Sequence, residues 1–154
     1  MTHTRFAPLP WLATLAALVL SSVLTLAWLA RDLGAERVGH GVRAIEDLAL
    51  VDELAERGTV LECCPGSNVA LGIYPTFRAH PISELDRRGV KVTISTDDPP
   101  FFHTTMAREY DMLNRAFDWD EGVFAKIART SLDAAFCDAD TKARILKTLE
   151  QGHA

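Results

Sequence analysis

Several things that would define a function class are scarce or missing in this 154-residue chain. There are three cysteines, two of them adjacent (Cys63 and Cys64). That odd count excludes a disulfide scaffold and suits a reducing compartment such as the cytoplasm. No C-x-x-C pair occurs, and no G-x-G-x-x-G or other glycine-rich phosphate cradle; Gly39 and Gly41 only flank His40. No run of lysine or arginine is present and the formal net charge is −5. An electrostatic footprint for a polyphosphate backbone is therefore lacking, and nucleic acid is not an expected partner. Disorder is excluded as well, because 48% of the residues are hydrophobic and they recur along the whole chain.

Charge is also absent from one long stretch: no ionisable side chain lies between Arg5 and Arg31. Within it, residues 9–30 are long enough to span a bilayer as a helix, with Trp11 and Trp28 near its two ends, where aromatic rings favour the interface. Thr14, Ser21, Ser22 and Thr25 dilute the apolarity. As a secretory signal the stretch is poor, having only Arg5 as its basic region and no A-x-A site before Arg31. A buried helix is the third reading. Any membrane contact is confined to residues 9–30, so the chain divides into an apolar leader, 1–30, and a globular segment, 31–154.

After Ala30 the pattern alternates. Strands are expected at Glu36–Gly39, Thr59–Cys63 and Val90–Ser95, from short apolar or β-branched runs. Helices are expected at Ile45–Arg57, stopped by Gly58, and at Pro81–Arg88, stopped by Gly89. Three more follow at Thr104–Phe117, Asp120–Phe136 and Asp138–Leu149, with Asp120 and either Asp138 or Asp140 as N-caps. Regular structure is expected to halt at Thr96-Asp97-Asp98-Pro99-Pro100. Strand–helix alternation is the order of a parallel α/β sheet. Three strands are few for such a sheet, which is buried on both faces, so the chain reads either as a small doubly wound domain or as part of something larger.

In such folds ligands gather beyond the carboxyl ends of the strands. The unusual residues stand there: His40 after the first strand, Cys64-Pro65-Gly66-Ser67-Asn68 after the second, Asp97-Asp98 after the third. Adjacent carboxylates point to opposite sides of the backbone, so one can reach a cation while the other holds a ligand or an outer group. Asp-Asp-Pro is also ordinary turn chemistry. His40, between two glycines, can act as a base, an acid or a ligand, or as a loop residue without a role. Cys63, Cys64 and Cys137 read as packing residues. His80 reads as a cap for the helix at Pro81, and His103 as part of a lid or hydrophobic plug.

The order of motifs resembles the carboxyl-terminal part of adenosine deaminase. The resemblance rests on Arg37-Val38-Gly39-His40-Gly41-Val42-Arg43, Ile45-Glu46-Asp47, Leu61-Glu62-Cys63-Cys64-Pro65-Gly66-Ser67-Asn68, His80-Pro81 and Thr96-Asp97-Asp98-Pro99, with Phe102-His103-Thr104-Thr105 through Glu109-Tyr110 resembling bacterial members. It covers about Arg31 to Leu149. The resemblance implies a zinc-dependent TIM (β/α)8 barrel that converts adenosine and water to inosine and ammonia, of which this α/β chain carries about the last three strand–helix units. It implies that Asp97 is a zinc ligand, that Asp98 binds the purine ring, and that His40 is catalytic, orienting or deprotonating the attacking water. Ser67, Asn68 and Gly72 are implied only in shaping the pocket. The partner would be a small purine nucleoside.

The departures are as informative. The family's H-x-H pair, its third zinc histidine and its acidic glutamate have no counterpart; His3 is the only histidine before His40. Catalytic zinc ordinarily has three protein ligands, so most of the ligand set is missing. The pattern resumes abruptly near Arg31-Asp32-Leu33-Gly34, as an out-of-frame or mistaken start would produce. The expectation is thus a truncated deaminase, inactive by itself. The alternatives are a membrane-anchored, non-catalytic binding module and a deaminase of a related substrate such as adenine. The purified chain is expected to release no ammonia from adenosine in a coupled assay; zinc-dependent release would overturn this.

Overall fold

The computed structural model describes residues 22–152. Residues 1–21, most of the apolar leader, lie outside the described residues. Residues 22–31 are helical (α1). They are followed by β1 (Arg37–Gly39), a 3-10 turn (Gly41–Glu46), α2 (Leu48–Arg57), β2 (Val60–Cys63), α3 (Pro65–Ala70) and a second 3-10 turn (Phe77–Ala79). Then come α4 (Ile82–Arg87), β3 (Lys91–Ile94), α5 (Pro99–Phe102), α6 (Met106–Phe117), α7 (Glu121–Ala134) and α8 (Ala139–Gln151).

The three strands form a parallel sheet in the order β1-β2-β3. Val38 aligns with Leu61 and Leu61 with Val92, so the carboxyl ends of all three strands lie along one rim. The mostly helical α/β chain thus contains a partial parallel sheet. Among the described residues β1 and β3 are each paired on one side only.

Local chemistry explains most element boundaries. Asp47 caps α2 by accepting from the Ala49 and Leu50 amides, which splits the single helix expected from Ile45 into a 3-10 turn and an α-helix. Gly58 closes α2 at φ 69, a left-handed conformation that glycine adopts without a Cβ penalty. Thr105, Asp120 and Asp138 cap α6, α7 and α8, each accepting from the amide three residues on. Two short helices depart from expectation. Both α3 and α5 begin with proline at the first helical positions, where its missing N–H costs nothing and its fixed φ favours the turn. Regular structure therefore continues through Pro99 and Pro100.

The core joins the sheet to its helices: Val38, Leu61 and Val92 pack with Leu50, Leu54, Leu85, Leu113 and Ile127. Leu26, Ala27 and Ala30 of α1 belong to the same core, while Leu24 and Trp28 are exposed. Arg57 donates to the Ala30 carbonyl at 3.1 Å and Arg31 pairs with Glu53, so α1 is tied to α2. The end of the apolar stretch is thus a docked helix, and among the described residues no helix is long and apolar enough to cross a membrane. Leu61 occupies the middle of the central strand and is fully buried. Leu61→Ala is expected to destabilise the chain by about 2–5 kcal/mol, through lost transfer energy and an unfilled cavity, as measured by urea unfolding.

Candidate functional site

The rim brings two of the three expected residues together. The His40 amide extends the β1–β2 ladder by donating to the Glu62 carbonyl at 3.0 Å, after which the chain turns left-handed at φ 53. On the other side of β2 the Ser95 amide donates to the Cys63 carbonyl at 2.8 Å, and Asp97 then turns left-handed at φ 61. Non-glycine residues in this region cost of order 1–3 kcal/mol each and persist only where neighbouring structure imposes them. The result aims both side chains at one point: His40 Nε2 lies 3.7 Å from Asp97 Oδ2. Ser67, near the start of α3, donates its hydroxyl to the same Asp97 oxygen at 2.7 Å and fixes the carboxylate.

Asp98 is placed differently. Its Oδ1 accepts the Phe101 amide at 3.1 Å and caps α5, so part of the turn reading holds for this residue. Its side chain is exposed beside the rim, with a second oxygen not used by the cap. His103 ends α5 in the left-handed region and is exposed, as is Phe101, which meets Phe102 edge to face.

Cys63 and Cys64 both pack as the sequence suggests, and Cys64 in addition reaches the rim. Cys63 is fully buried in the core and lies 3.7 Å from the Leu61 carbonyl. Cys64 is buried too, as the packing reading expects, and its sulfur, an imidazole nitrogen of His40 and a carboxylate oxygen of Asp97 all lie within 4.8 Å of one another. Burial, and next the charge of Asp97, push the Cys64 thiol up to about 11. Glu109, which the sequence offered only as part of a resembling stretch, has a structural role. It is buried, accepts from the Gly66 amide at 2.9 Å and from the Thr104 hydroxyl at 2.6 Å, and so ties α6 to the turn carrying Cys64 and Ser67. A Cβ at residue 66 would lie 2.1 Å from the Glu109 carboxylate, which explains the glycine.

These residues fit a borderline divalent cation. Imidazole, thiolate and carboxylate are all zinc ligands, and catalytic zinc uses three protein donors with one position left open. No lysine or arginine among the described residues neutralises Asp97 or Glu109. A cleft of about 410 Å³ lies at the opposite, amino ends of the strands, between Arg37, Val60, Lys91 and Phe136, away from this chemistry.

Known proteins resemble the chain over most of its described length. A family described as adenosine deaminase matches residues 24–152, starting inside the apolar leader. An adenine deaminase from Rhizobium leguminosarum bv. trifolii is 53% identical over 113 residues, which is 73% of this chain and 35% of that protein. The crystal structure of an adenine deaminase from Arthrobacter aurescens superposes with a TM-score of 0.77 at 27% identity, covering 82% of this chain and 38% of that one. An amidohydrolase from Burkholderia ambifaria with bound zinc has the same fold, with a TM-score of 0.71 at 23% identity over 81% of this chain and 35% of its own. The chain spans about a third of the length of the curated relatives it matches.

Behind the rim, His80 joins α3 to α4. Its Nδ1 accepts the Ile82 amide at 3.2 Å, the cap expected of it, so Nε2 carries the proton and donates to Asn68 Oδ1 at 3.0 Å. Both nitrogens serve the neutral ring, and burial lowers its pKa to about 4 from the usual 6.5. The unfolded chain binds this proton more readily. The His80 contribution is therefore complete above about pH 6.5 and is lost as pH falls toward 4, a change of roughly 3 kcal/mol. His80→Gln is expected to flatten the stability profile between these limits, measured by urea midpoints against pH; an unchanged slope would contradict the assignment.

Proposed function

The chain belongs to the adenosine deaminase family, and from that premise we propose that it is the carboxyl-terminal part of a hydrolytic deaminase acting on adenine. The reaction replaces the exocyclic amino group of the purine by oxygen: water adds at the carbon bearing nitrogen, the carbon–nitrogen bond breaks, and hypoxanthine and ammonia leave. The observation that carries the reading is the approach of His40 to Asp97 at the strand-end rim, with Ser67 holding the carboxylate. Adenine is preferred over the nucleoside, which the motifs alone suggested, because the 53% identical relative is an adenine deaminase.

Each residue has a task in this proposal. Asp97 offers a carboxylate oxygen to zinc, oriented by the Ser67 hydrogen bond, since partners of a ligand fix its geometry. Zinc, when bound, supplies Lewis acidity that makes a water acidic enough to react near neutral pH. His40, its Nε2 3.7 Å from Asp97 Oδ2, takes or steadies the proton of the attacking water. Asp98 keeps one oxygen on the α5 cap and turns the other to the purine ring. The proton donor to the ring and the histidine ligands of the family have no counterpart in this sequence, so turnover requires the remaining strand–helix units.

The test is exchange. Residues 31–149 replace the matching segment of the R. leguminosarum relative, and ammonia release is followed with adenine and with adenosine. The chimera is expected to prefer adenine, and Asp97→Ala within it to lower kcat/KM by at least about a hundredfold, the scale of losing a group that stabilises transition-state charge. A chimera preferring adenosine, or one indifferent to Asp97→Ala, would overturn the reading.

A further inference from the structure

Resting on the reading of Asp97 as a working carboxylate of the deaminase rim, we propose that Glu109 is a positioning residue for the reaction. It clamps the loops after β2 and β3 so that Ser67 keeps the Asp97 carboxylate oriented. The helix that carries Ser67, α3, has only six residues and is too short to hold itself without outside contacts. Local sequence serves its amino end poorly. Cys64, at the N-cap position, makes no side-chain hydrogen bond there, and Pro65 has no N–H. The Gly66 amide is therefore the first donor of the helix, and its acceptor comes from far along the chain: Glu109 Oε2 at 2.9 Å. Ser67, the next residue, donates to Asp97 at 2.7 Å.

The other oxygen of Glu109 holds the second loop. Oε1 accepts from the Thr104 hydroxyl at 2.6 Å, and the Thr104 amide donates to the Pro99 carbonyl at 3.3 Å, within the turn that Asp98 caps. Glu109 thus joins the loops after β2 and β3 inside the domain, and the Ser67–Asp97 hydrogen bond joins the same two loops at the rim. Leu113, one turn further along α6, is fully buried in the core, so the base of the clamp is fixed. A buried carboxylate costs stability unless its lone pairs are satisfied. This one accepts from both loops at once, which no apolar side chain of the same size could do.

In the purified, isotope-labelled full chain, the side-chain carboxyl resonance of Asp97, assigned with Asp97→Asn, reports the Ser67 hydrogen bond. Glu109→Ala is expected to displace this resonance in the direction that Ser67→Ala does. Gly66→Ala, whose methyl group would collide with Glu109 Oε1, carries the same expectation should Glu109→Ala fail to fold. Glu109→Gln should leave the resonance in place, because its amide oxygen can accept from Gly66 while its NH2 donates to the Thr104 oxygen. In the chimera, Glu109→Ala should lower kcat for adenine at least about tenfold, the scale of losing a partner that orients a metal ligand. Glu109→Gln should retain most of the activity, and in a Ser67→Ala background Glu109→Ala should cause no further loss of kcat. An Asp97 resonance indifferent to Glu109→Ala and Gly66→Ala, a Glu109→Gln variant as impaired as Glu109→Ala, or losses in kcat that add independently of Ser67 would each overturn the proposal. A chimera without adenine turnover would instead defeat the deaminase reading, and the resonance then decides the role of Glu109 by itself.

Discussion

The parallel register of three short strands is the constraint on which the site depends. Val38, Leu61 and Val92 lie abreast, so the chain leaves β1, β2 and β3 at the same height. A one-residue slip would send every side chain to the opposite face. The ladder is carried one step beyond the strands by the His40 and Ser95 amides, and only then does the backbone enter the left-handed turns at His40 and Asp97. Hydrogen bonds on both flanks of β2 thus hold two conformations that residues with a Cβ seldom adopt. The approach of His40 to Asp97 at the rim follows from order in the sheet.

Around that rim buried polar groups are held by other polar groups. Ser67 fixes Asp97, Asn68 fixes His80, and Glu109 fixes Gly66 and Thr104. Two members of these pairs, Ser67 and Asn68, are neighbours in α3, a helix of six residues. A single short element therefore sets both the carboxylate at the rim and the neutral histidine behind it. Disturbing α3 should be felt at the Asp97 carboxylate and at His80 together, because the two networks share its backbone.

Much of this was legible in the sequence. The three strands, the helix stopped by Gly58 and the caps at Asp120 and Asp138 follow from periodicity and terminal chemistry, and His40 and Asp97 stood out as polar residues just past strands. What the pattern hid has physical reasons. The helices at Pro65 and Pro99 are too short for a periodic signal. Cys64 packs as expected but also lies beside His40 and Asp97, a proximity that nothing in the dipeptide reveals. The apolar run ending at Ala30 read equally as a membrane helix or a buried one, because length and hydropathy describe both; its last turns pack as Leu26, Ala27 and Ala30 against the domain. Glu109 stood only inside a resembling stretch and its role was hidden, since the Gly66 amide it accepts from is distant in sequence.

The central claim is that the carboxyl ends of these strands form a cation site built on Asp97. Diffraction from crystals of the chain grown with zinc, recorded on either side of the zinc absorption edge, tests it most directly. The account predicts an anomalous peak within bonding distance of Asp97, on the His40 side of the rim. A peak at the opposite end of the strands, near Arg37 and Lys91, or an empty rim in crystals that hold zinc elsewhere, would contradict it.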